Sequence, residues 1–328
     1  MSNSTLSNGT LEMLQNRMLK ITLPILHLLI FAISLPLNSF CLWILSCHSR
    51  PWVPTVIFAI NLAVADLLYS VMLPFQAAYH LQGNNWPFGS LLCRILTVLF
   101  YGNMECSILT MTSISIERYL GIVHPLRSQR LRTNRMAVWT CLCIWGGILL
   151  GNYPFMSNDL TFPVQELGIV TCFDILPKRM FPAPWHFALF FGFHVFLTFP
   201  LPLLVMGFCY GSVIRTLLRS SSSVSGDTRR QAVSLIVVVL VVFVLCYLPN
   251  SIITVLHLVY MQKYKSAYVE YKLSLAVNSL NACIDPFLYY FGSREFRQKM
   301  RPIWGRIGTC CRKQAAPAYL EQRVIFNI

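Results

Sequence analysis

The sequence has 328 residues, of which 55% are hydrophobic and only 12% are charged. Because an ordinary soluble domain has about 25% charged residues, this composition excludes a soluble enzyme with a typical hydrated surface. Lys and Arg number 26 against 12 Asp and Glu, which gives a formal net charge of +14. The basic residues lie in short clusters between long apolar segments, so they indicate membrane topology rather than a nucleic-acid-binding surface.

Seven apolar segments follow one another along the chain, and each is long enough to cross a bilayer as a helix of about 20 residues. The first follows 20 mostly polar residues without a basic leader pattern, so we expect it to be an uncleaved anchor. The alternating segments of about ten residues that a membrane β-barrel requires do not occur in the sequence. The sequence therefore predicts an all-α membrane protein, a seven-transmembrane helix bundle. The predicted spans are 21–47, 54–80, 90–122, 136–156, 184–214, 231–260 and 268–291.

The basic residues also predict the orientation of the bundle, since cytoplasmic loops carry an excess of Lys and Arg. Most of them fall on one side, chiefly in the loops after the third and fifth spans and in the C-terminal tail. We therefore expect a multi-pass protein of the plasma membrane with an extracellular N-terminus, and the sequons at Asn3 and Asn8 are predicted glycosylation sites. The predicted regions are the extracellular arm (1–20), the seven-span domain (21–292), an amphipathic helix on the inner membrane face (293–304) and a cytoplasmic tail (305–328).

The sequence contains twelve cysteines, and most of them lie inside apolar segments, where Cys acts as a small hydrophobic residue. Cys93 and Cys172 lie instead on the oxidising outer side, so we predict a disulfide between them. Cys310 and Cys311 follow the last span in a basic context, which favours S-palmitoylation. Two reduced cytosolic thiols are the alternative for that pair.

No P-loop, nucleophile elbow or H-E-x-x-H spacing occurs in the sequence, and its seven His are scattered, so no catalytic activity is predicted. A seven-helix transporter or light-driven pump is an alternative of a different class. A retinal protein needs a Lys near the middle of span seven, and residues 273–293 contain none. Internal repeats and broken helices, which are typical of transporters, are not evident in the sequence.

Seven short motifs, one in each span, resemble those of the rhodopsin-like (class A) G-protein-coupled receptors. They occur in the order of that family, and the resemblance covers about residues 20–305. Together they imply the fold of a seven-helix receptor and a signalling function through a heterotrimeric G protein. The motifs are Asn38, 62–66 (LAVAD), 117–119 (ERY), Trp145, Pro202, 246–249 (CYLP) and 285–289 (DPFLY).

Two departures from the commonest residues of the family are typical of its purinoceptor-like branch. Tyr247 stands where Trp is usual, and Asp285 stands where Asn is usual. The outer loop 171–176 (TCFDIL) also resembles that branch, and within it the purinoceptor-like receptors for a prenylated glutathione conjugate. The branch further contains receptors that are activated by nucleotides or by a protease-cut tethered ligand. The arm before span one is short for a tethered ligand.

Acidic residues inside a bilayer are costly and mark function by default. The resemblance implies an allosteric sodium ion between spans two, three and seven, held by oxygen ligands that include two carboxylates. The alternative is that one of the two acids is protonated, and no cofactor is otherwise required. The implied sodium ligands are Asp66, Asn103, Ser107, Asn281 and Asp285.

The resemblance also implies a switch at the inner end. Glu117 pairs with the neighbouring Arg118 and holds this end shut until Arg118 is freed to meet the G-protein α-subunit. Leu126 supplies an apolar contact for the G protein, arrestin is a second expected partner, and the basic residues of 294–301 face lipid headgroups. The alternative for the loop arginines is simple positive-inside anchoring. The predicted switch and coupling residues are Glu117, Arg118, Tyr119, Leu126, Tyr210, Tyr247 and Tyr289.

The outer pocket predicts a ligand with an anionic head and an apolar tail. Phe100 stands where amine receptors carry Asp, and of the basic positions of nucleotide receptors only Lys272 is retained, which disfavours both ligand classes. Basic residues surround the outer end (Arg94, Lys178, Arg179, Lys263, Lys265 and Lys272), with aromatic residues beneath them, although solvated loop charge is the alternative for each. The predicted ligand-binding residues are Tyr79, Arg94, Phe100, Tyr101, Met104, Phe173, His257 and Lys272.

Glu105 lies deep inside span three, and the resemblance aligns its face with His194 of span five. We expect the two side chains to form a hydrogen bond across the interface, because an unpaired carboxylate in lipid is expensive. Such a pair would make signalling sensitive to pH near the ordinary His pKa of about 6.5. The alternative is a protonated Glu105 bonded to a backbone carbonyl.

Overall fold

The structure is a computed structural model that describes residues 8–47, 49, 52–175, 180–181, 183–219, 226–261 and 268–292. Most of these residues are helical, and the two strands form one hairpin. The helices are α1 (Asn8–Gln15), α2 (Arg17–Cys47), α3 (Pro54–Leu81), α4 (Gly89–Val123), α5 (Asn134–Gly151), α6 (Tyr153–Ser157), α7 (Pro184–Thr198), α8 (Pro200–Arg219), α9 (Gly226–Met261), α10 (Tyr268–Asn278) and α11 (Asn281–Gly292). The strands are β1 (Thr161–Val164) and β2 (Ile169–Cys172).

The predicted seven-helix bundle is confirmed. Within the described residues, six helical segments are long and apolar enough to cross a membrane, and they correspond to spans one to six. Span seven consists of α10 and α11, of 11 and 12 residues, which are separated only by Ser279 and Leu280. Each half is too short to cross alone, but together they cover the predicted segment 268–291.

Span five is divided in the structure, whereas the sequence analysis predicts one continuous helix over 184–214. α7 ends at Thr198 and α8 begins at Pro200, with Phe199 between them at φ −128° and ψ −70°. Proline has no N–H to donate and disfavours helical geometry in the residue before it, which explains the break at Phe199. The helix direction resumes at once, because Leu203 N–H donates to the Phe199 carbonyl at 3.0 Å.

The N-terminal region is also more ordered than a polar arm over 1–20 implies. It contains α1, and the first span begins at Arg17 rather than at Ile21. Leu14 is fully buried, and the Asn84 side-chain amide donates to its carbonyl at 2.8 Å. The short helix α1 therefore packs against the outer end of span two.

Polar contacts hold span seven around its break. Asn38 of span one donates from Nδ2 to the carbonyl of Ala282 at 2.8 Å. The Tyr69 hydroxyl of span two donates to Ser279 Oγ at 2.6 Å. Because bilayer lipid offers these groups no partner, such bonds fix neighbouring helices against each other.

The second outer loop forms an antiparallel hairpin that covers the outer end of the bundle. Trp86 N–H donates to the Val170 carbonyl at 2.7 Å, and Asn85 Oδ1 accepts from Val170 N–H at 3.0 Å. The predicted disulfide is present, with the Cα atoms of Cys93 and Cys172 5.8 Å apart. The hairpin is therefore attached to the loop that follows span two and to span three.

Several predicted features lie outside the residues or side chains that the structure describes, and they stay predictions. They are the amphipathic helix 293–304 and the tail 305–328, Cys310 and Cys311, Asn3, Lys178, Arg179, Lys263 and Lys265, and the side chains of Asn8, His257 and Tyr289.

Candidate functional site

Spans one, two, three and seven enclose a cavity beneath the hairpin at the outer end. Its volume is about 50 Å³, which holds no more than a few water molecules. Its wall combines polar side chains with aromatic and aliphatic ones. The lining residues are Leu23, His27, Gln76, His80, Thr97, Phe100, Tyr101, Cys172, Phe173, Lys272, Leu275 and Ala276.

The predicted ligand-binding residues are only partly gathered around this cavity. Four of them line it, as the wall residues above show, and Tyr79 lies behind the wall, hydrogen-bonded to Asp174. Arg94 does not line it, because its guanidinium donates to the Met156 carbonyl at 3.2 Å, toward the end of span four. Met104 is also outside the wall, since it is buried deeper, with its sulfur 3.7 Å from the Asn250 amide nitrogen.

Lys272 is not the freely solvated cation of a basic rim. Its Nζ lies 2.6 Å from Asp174 Oδ1 and 5.3 Å from the centre of the Tyr268 ring. The Asp174 side chain is fully buried, and that of Lys272 is only 16% exposed. The hydroxyls of Tyr79 and Tyr268 also donate to the Asp174 carboxylate. We call Lys272, Tyr79 and Tyr268 the carboxylate cradle.

The charge state of Asp174 follows from this cradle. Burial alone would raise the pKa of the carboxyl, but the Lys272 ammonium and the hydrogen bonds from Lys272, Tyr268 and Tyr79 outweigh it. The net result is that the pKa of Asp174 is held below its usual range. Asp174 and Lys272 therefore form a buried ion pair, whose loss would leave one uncompensated charge inside the protein. In the sequence, Asp174 is visible only as part of the loop motif 171–176.

Two histidines in the polar wall are further residues that the sequence analysis does not single out. The rings of His27 and His80 lie 5.8 Å apart, centre to centre. His80 Nδ1 is 2.8 Å from Asn84 Oδ1, whereas His27 Nδ1 is buried without a hydrogen-bond partner. Their position inside apolar spans could have identified them in the sequence, because burying a polar side chain in a membrane costs free energy and often marks a functional residue.

The residues of the implied sodium site lie deeper, between spans two, three and seven. Asn103 Nδ2 donates to Asp66 Oδ1 at 2.8 Å. The other Asp66 oxygen, both Asp285 carboxylate oxygens and Ser107 Oγ are buried without a hydrogen-bond partner. The fifth member, Asn281, donates its amide to the hydroxyl of Tyr247 in span six at 3.0 Å. Two buried carboxylates and a hydroxyl in this arrangement suit a hard cation, which prefers oxygen ligands.

At the inner end, Glu117 is paired with a different arginine from the one predicted. Nε and Nη2 of Arg132 both donate to Glu117 Oε1, at 3.1 and 3.0 Å. The Arg132 guanidinium lies directly over Gly121, where a Cβ atom would come within 2.7 Å of it. The predicted Glu117–Arg118 pair is therefore corrected to a contact between span three and the second inner loop, and Arg118 interacts electrostatically with Tyr210.

The remaining coupling residues lie on either side of this contact. The Tyr119 hydroxyl is 3.0 Å from His124 Nε2, and the Tyr119 ring packs on Phe208 of span five. Leu126 is 83% exposed in the second inner loop. Tyr210 and Tyr247 are buried in the main apolar core.

Glu105 and His194 face each other across spans three and five, as predicted, but the predicted hydrogen bond is wrong. His194 Nδ1 is 3.6 Å from Glu105 Oε1, which is too far for one. Asn152 at the end of span four donates to both Glu105 oxygens instead, at 3.0 and 3.1 Å. The side-chain amide of Asn152 thus supplies hydrogen bonds to the Glu105 carboxylate.

Comparison with known proteins agrees with this architecture. Residues 37–289 match the family described as 7 transmembrane receptor (rhodopsin family). Purinoceptor 8 of Gallus gallus is 45% identical over 305 residues, which cover 92% of this chain and 85% of the relative. The S-geranylgeranyl-glutathione receptor of Homo sapiens is 45% identical over 299 residues, covering 91% and 83%. Proteinase-activated receptor 2 of Homo sapiens is 37% identical over 290 residues, covering 87% and 72%.

Proposed function

Because the chain belongs to the rhodopsin family of seven-transmembrane receptors, we propose that its extracellular ligand is an anionic lipid or lipid conjugate that drives activation of a heterotrimeric G protein. The observation that carries this proposal is the outer cavity, whose wall contains both the cationic Lys272 and the aromatic rings of Phe100 and Phe173. Lys272 can bind a carboxylate or similar anion, and the two aromatic rings can pack against an apolar chain.

The relatives support the same ligand class. One receptor at 45% identity is named for S-geranylgeranyl-glutathione, which combines carboxylates with a prenyl chain. Activation by a nucleotide is the weaker alternative, since a triphosphate needs several cationic partners. Among the described residues, Lys272 is the only Lys or Arg in the cavity wall, and it is already paired with Asp174.

A sodium ion is proposed as an allosteric ligand of the deeper site. Asp66, Ser107 and Asp285 would supply the oxygens that lack hydrogen-bond partners, and Asn103 would orient the Asp66 carboxylate. The bound cation would compensate two neighbouring buried carboxylates, which are otherwise costly at membrane depth.

The inner end supports coupling to a G protein and, in the same place, to arrestin. Leu126 offers an exposed apolar side chain in the second inner loop. Arg118 at the end of span three becomes accessible to such a partner when the inner end opens. The Arg132–Glu117 contact joins these two regions, so its release is part of the proposed opening.

An extracellular N-terminus is supported by two features of the same end of the bundle. The Cys93–Cys172 disulfide belongs to an oxidising compartment, and α1 packs at that end through Leu14 and Asn84. Glycosylation of Asn3 and Asn8, acylation of Cys310 and Cys311, and contacts of the tail with membrane lipids are proposed with this topology.

The test is G-protein activation in cultured cells that are exposed to S-geranylgeranyl-glutathione, to other anionic lipids and to nucleotides. We expect the prenylated conjugate to activate the wild-type receptor. Arg118→Ala should abolish activation while surface expression stays near normal, and Arg130→Ala, an exposed arginine of the neighbouring loop, should signal normally. A nucleotide response without any lipid response would support the alternative ligand class, and undiminished signalling by Arg118→Ala would contradict the coupling role.

A further inference from the structure

Asp174 reaches the bundle interior from the second outer loop, through a turn that is unfavourable for its sequence. Phe173 has φ of 65°, in the left-handed region that bulky residues rarely adopt. This turn is held on one side by the disulfide at Cys172 and on the other by the Phe173 N–H, which donates to the Leu160 carbonyl at 3.0 Å. The loop thus directs an acidic side chain inward at a conformational cost.

The cradle that receives Asp174 is built from the helices and suits carboxylates in general. An ammonium from span seven and hydroxyls from spans two and seven all converge on one carboxylate. Charge-assisted bonds of this kind are shorter and stronger than neutral ones. Nothing in the donor set requires that the carboxylate come from the protein itself.

The cradle also borders the cavity, since Lys272 lines it, as does Phe173, the neighbour of Asp174 in the chain. At about 50 Å³ the cavity is far smaller than the several hundred Å³ of a typical ligand site. A lipid conjugate therefore cannot enter unless part of the wall withdraws. Cys172 and Phe173, at the end of β2, are the wall residues that lie outside the helices.

We propose that Asp174 holds the place of the ligand's carboxylate: an incoming carboxylate displaces it from Lys272, and the short segment of Phe173 and Asp174 after β2 withdraws and enlarges the cavity. This inference rests on the proposed ligand class. The exchange keeps Lys272 paired throughout, which avoids an unpaired buried charge. An analogue without a carboxylate cannot make this exchange, so the cradle selects for carboxylates.

The test compares S-geranylgeranyl-glutathione with its dimethyl ester, and reads the concentration of each that gives half-maximal G-protein activation. Asp174→Asn removes the competing charge with little change in shape. We expect it to lower the half-maximal concentration of the acid by about tenfold, equivalent to about 1.4 kcal/mol, with a smaller change for the ester. Lys272→Gln should raise the half-maximal concentration of the acid more than that of the ester.

Asp159→Asn is the matched control. Asp159 lies in the same loop but is exposed, and it accepts from Ser90 Oγ at 2.6 Å and from Thr161 N–H at 2.9 Å. We expect the wild-type ratio of acid to ester potency in this variant. The ratio is taken within one cell population, so differences in surface expression between variants largely cancel.

A second variant keeps the test decisive if Asp174→Asn reaches the cell surface poorly. Asp174→Asn combined with Lys272→Gln leaves no unpaired charge in the cradle, and the acid should then lose its advantage over the ester. Equal loss of both potencies in Asp174→Asn, or a wild-type ratio in the double variant, would overturn the proposal and leave Asp174 a structural residue. Failure of both compounds to activate the wild-type receptor would instead count against the proposed ligand class.

Discussion

At the scale of single residues, Glu105 illustrates how a buried carboxylate is satisfied inside a membrane bundle. Its charge and depth predict a polar partner, and the aligned face of span five suggests His194. In the structure, Asn152 donates both hydrogen bonds and His194 lies 3.6 Å away. The difference arises because span four ends at Gly151, so that the Asn152 amide turns back into the bundle. A helix end of this kind is placed by packing and is difficult to infer from the spacing of residues.

We predict that Asn152→Ala lowers the free energy of unfolding by about 1–3 kcal/mol, because the buried Glu105 carboxylate loses its described donor. Adding Glu105→Gln should recover part of this loss, since a neutral amide is less costly to leave unpaired. Thermal unfolding of the detergent-purified receptor measures both variants. His194→Phe is the comparison, and a loss as large as that of Asn152→Ala would show that His194 is the principal partner after all.

At the scale of elements, the sequence predicts the seven spans because each is a long apolar segment, and a helix satisfies its own backbone hydrogen bonds within one such segment. It does not predict the breaks in spans five and seven. The break in span five follows from Pro200, and such a local effect of proline can be recognised in the sequence. The break in span seven depends on contacts between helices, such as that of Tyr69 with Ser279. The disulfide is predictable from its compartment. The partners of Glu117 and Lys272 are not, because both come from loops whose course depends on the assembled bundle.

The contact between span three and the second inner loop leads to a prediction at Gly121. A methyl group there would meet the Arg132 guanidinium at 2.7 Å, and nothing else comes as close. Because that guanidinium is the end of a flexible side chain, the fold should tolerate Gly121→Ala while the Arg132–Glu117 pair is displaced. We expect surface expression near normal and signalling without ligand that is higher by a factor of about two to three. A factor of this size corresponds to the free energy of a weak, partly exposed ion pair.

Gly146→Ala is the control for this substitution, since Gly146 also lies in a helix but has no atom within 4 Å of an added Cβ. Its signalling without ligand should equal that of the wild type. Arg132→Gln should raise signalling to a similar degree as Gly121→Ala, and the two changes together should add little, because they remove the same contact. Full additivity would mean that Gly121 acts through something other than Arg132.

At the scale of the whole molecule, the described residues include an ionic contact at the outer end of the bundle and another at its inner end. The outer one joins the second outer loop to span seven through Asp174 and Lys272, and the inner one joins the second inner loop to span three through Arg132 and Glu117. They differ in burial, because the Asp174 side chain is fully buried whereas that of Arg132 is 38% exposed. Removal of one partner therefore costs more at the outer contact, and the inner contact is easier to release.

The depressed pKa of Asp174 predicts how the outer contact responds to acid. A carboxyl whose folded pKa lies below its unfolded value of about 3.9 contributes stability that is fully present above about pH 5 and is lost as the pH falls through the folded pKa. The contact should therefore persist at the mildly acidic pH of endosomes. Asp174→Asn should reduce the free energy of unfolding by roughly 3–5 kcal/mol at pH 7, since Lys272 is left buried without its partner.

The measurement is thermal unfolding of the purified wild-type receptor and of Asp174→Asn from pH 7.5 to pH 3.5. His80 faces the same cluster from span two, so the difference between the two proteins at each pH, rather than either stability alone, isolates Asp174. We expect this difference to be constant down to about pH 5 and to shrink below about pH 4, as protonation removes the charge of Asp174 in the wild type. A difference that already disappears between pH 7 and pH 6 would mean that a histidine, and not Asp174, controls the outer contact.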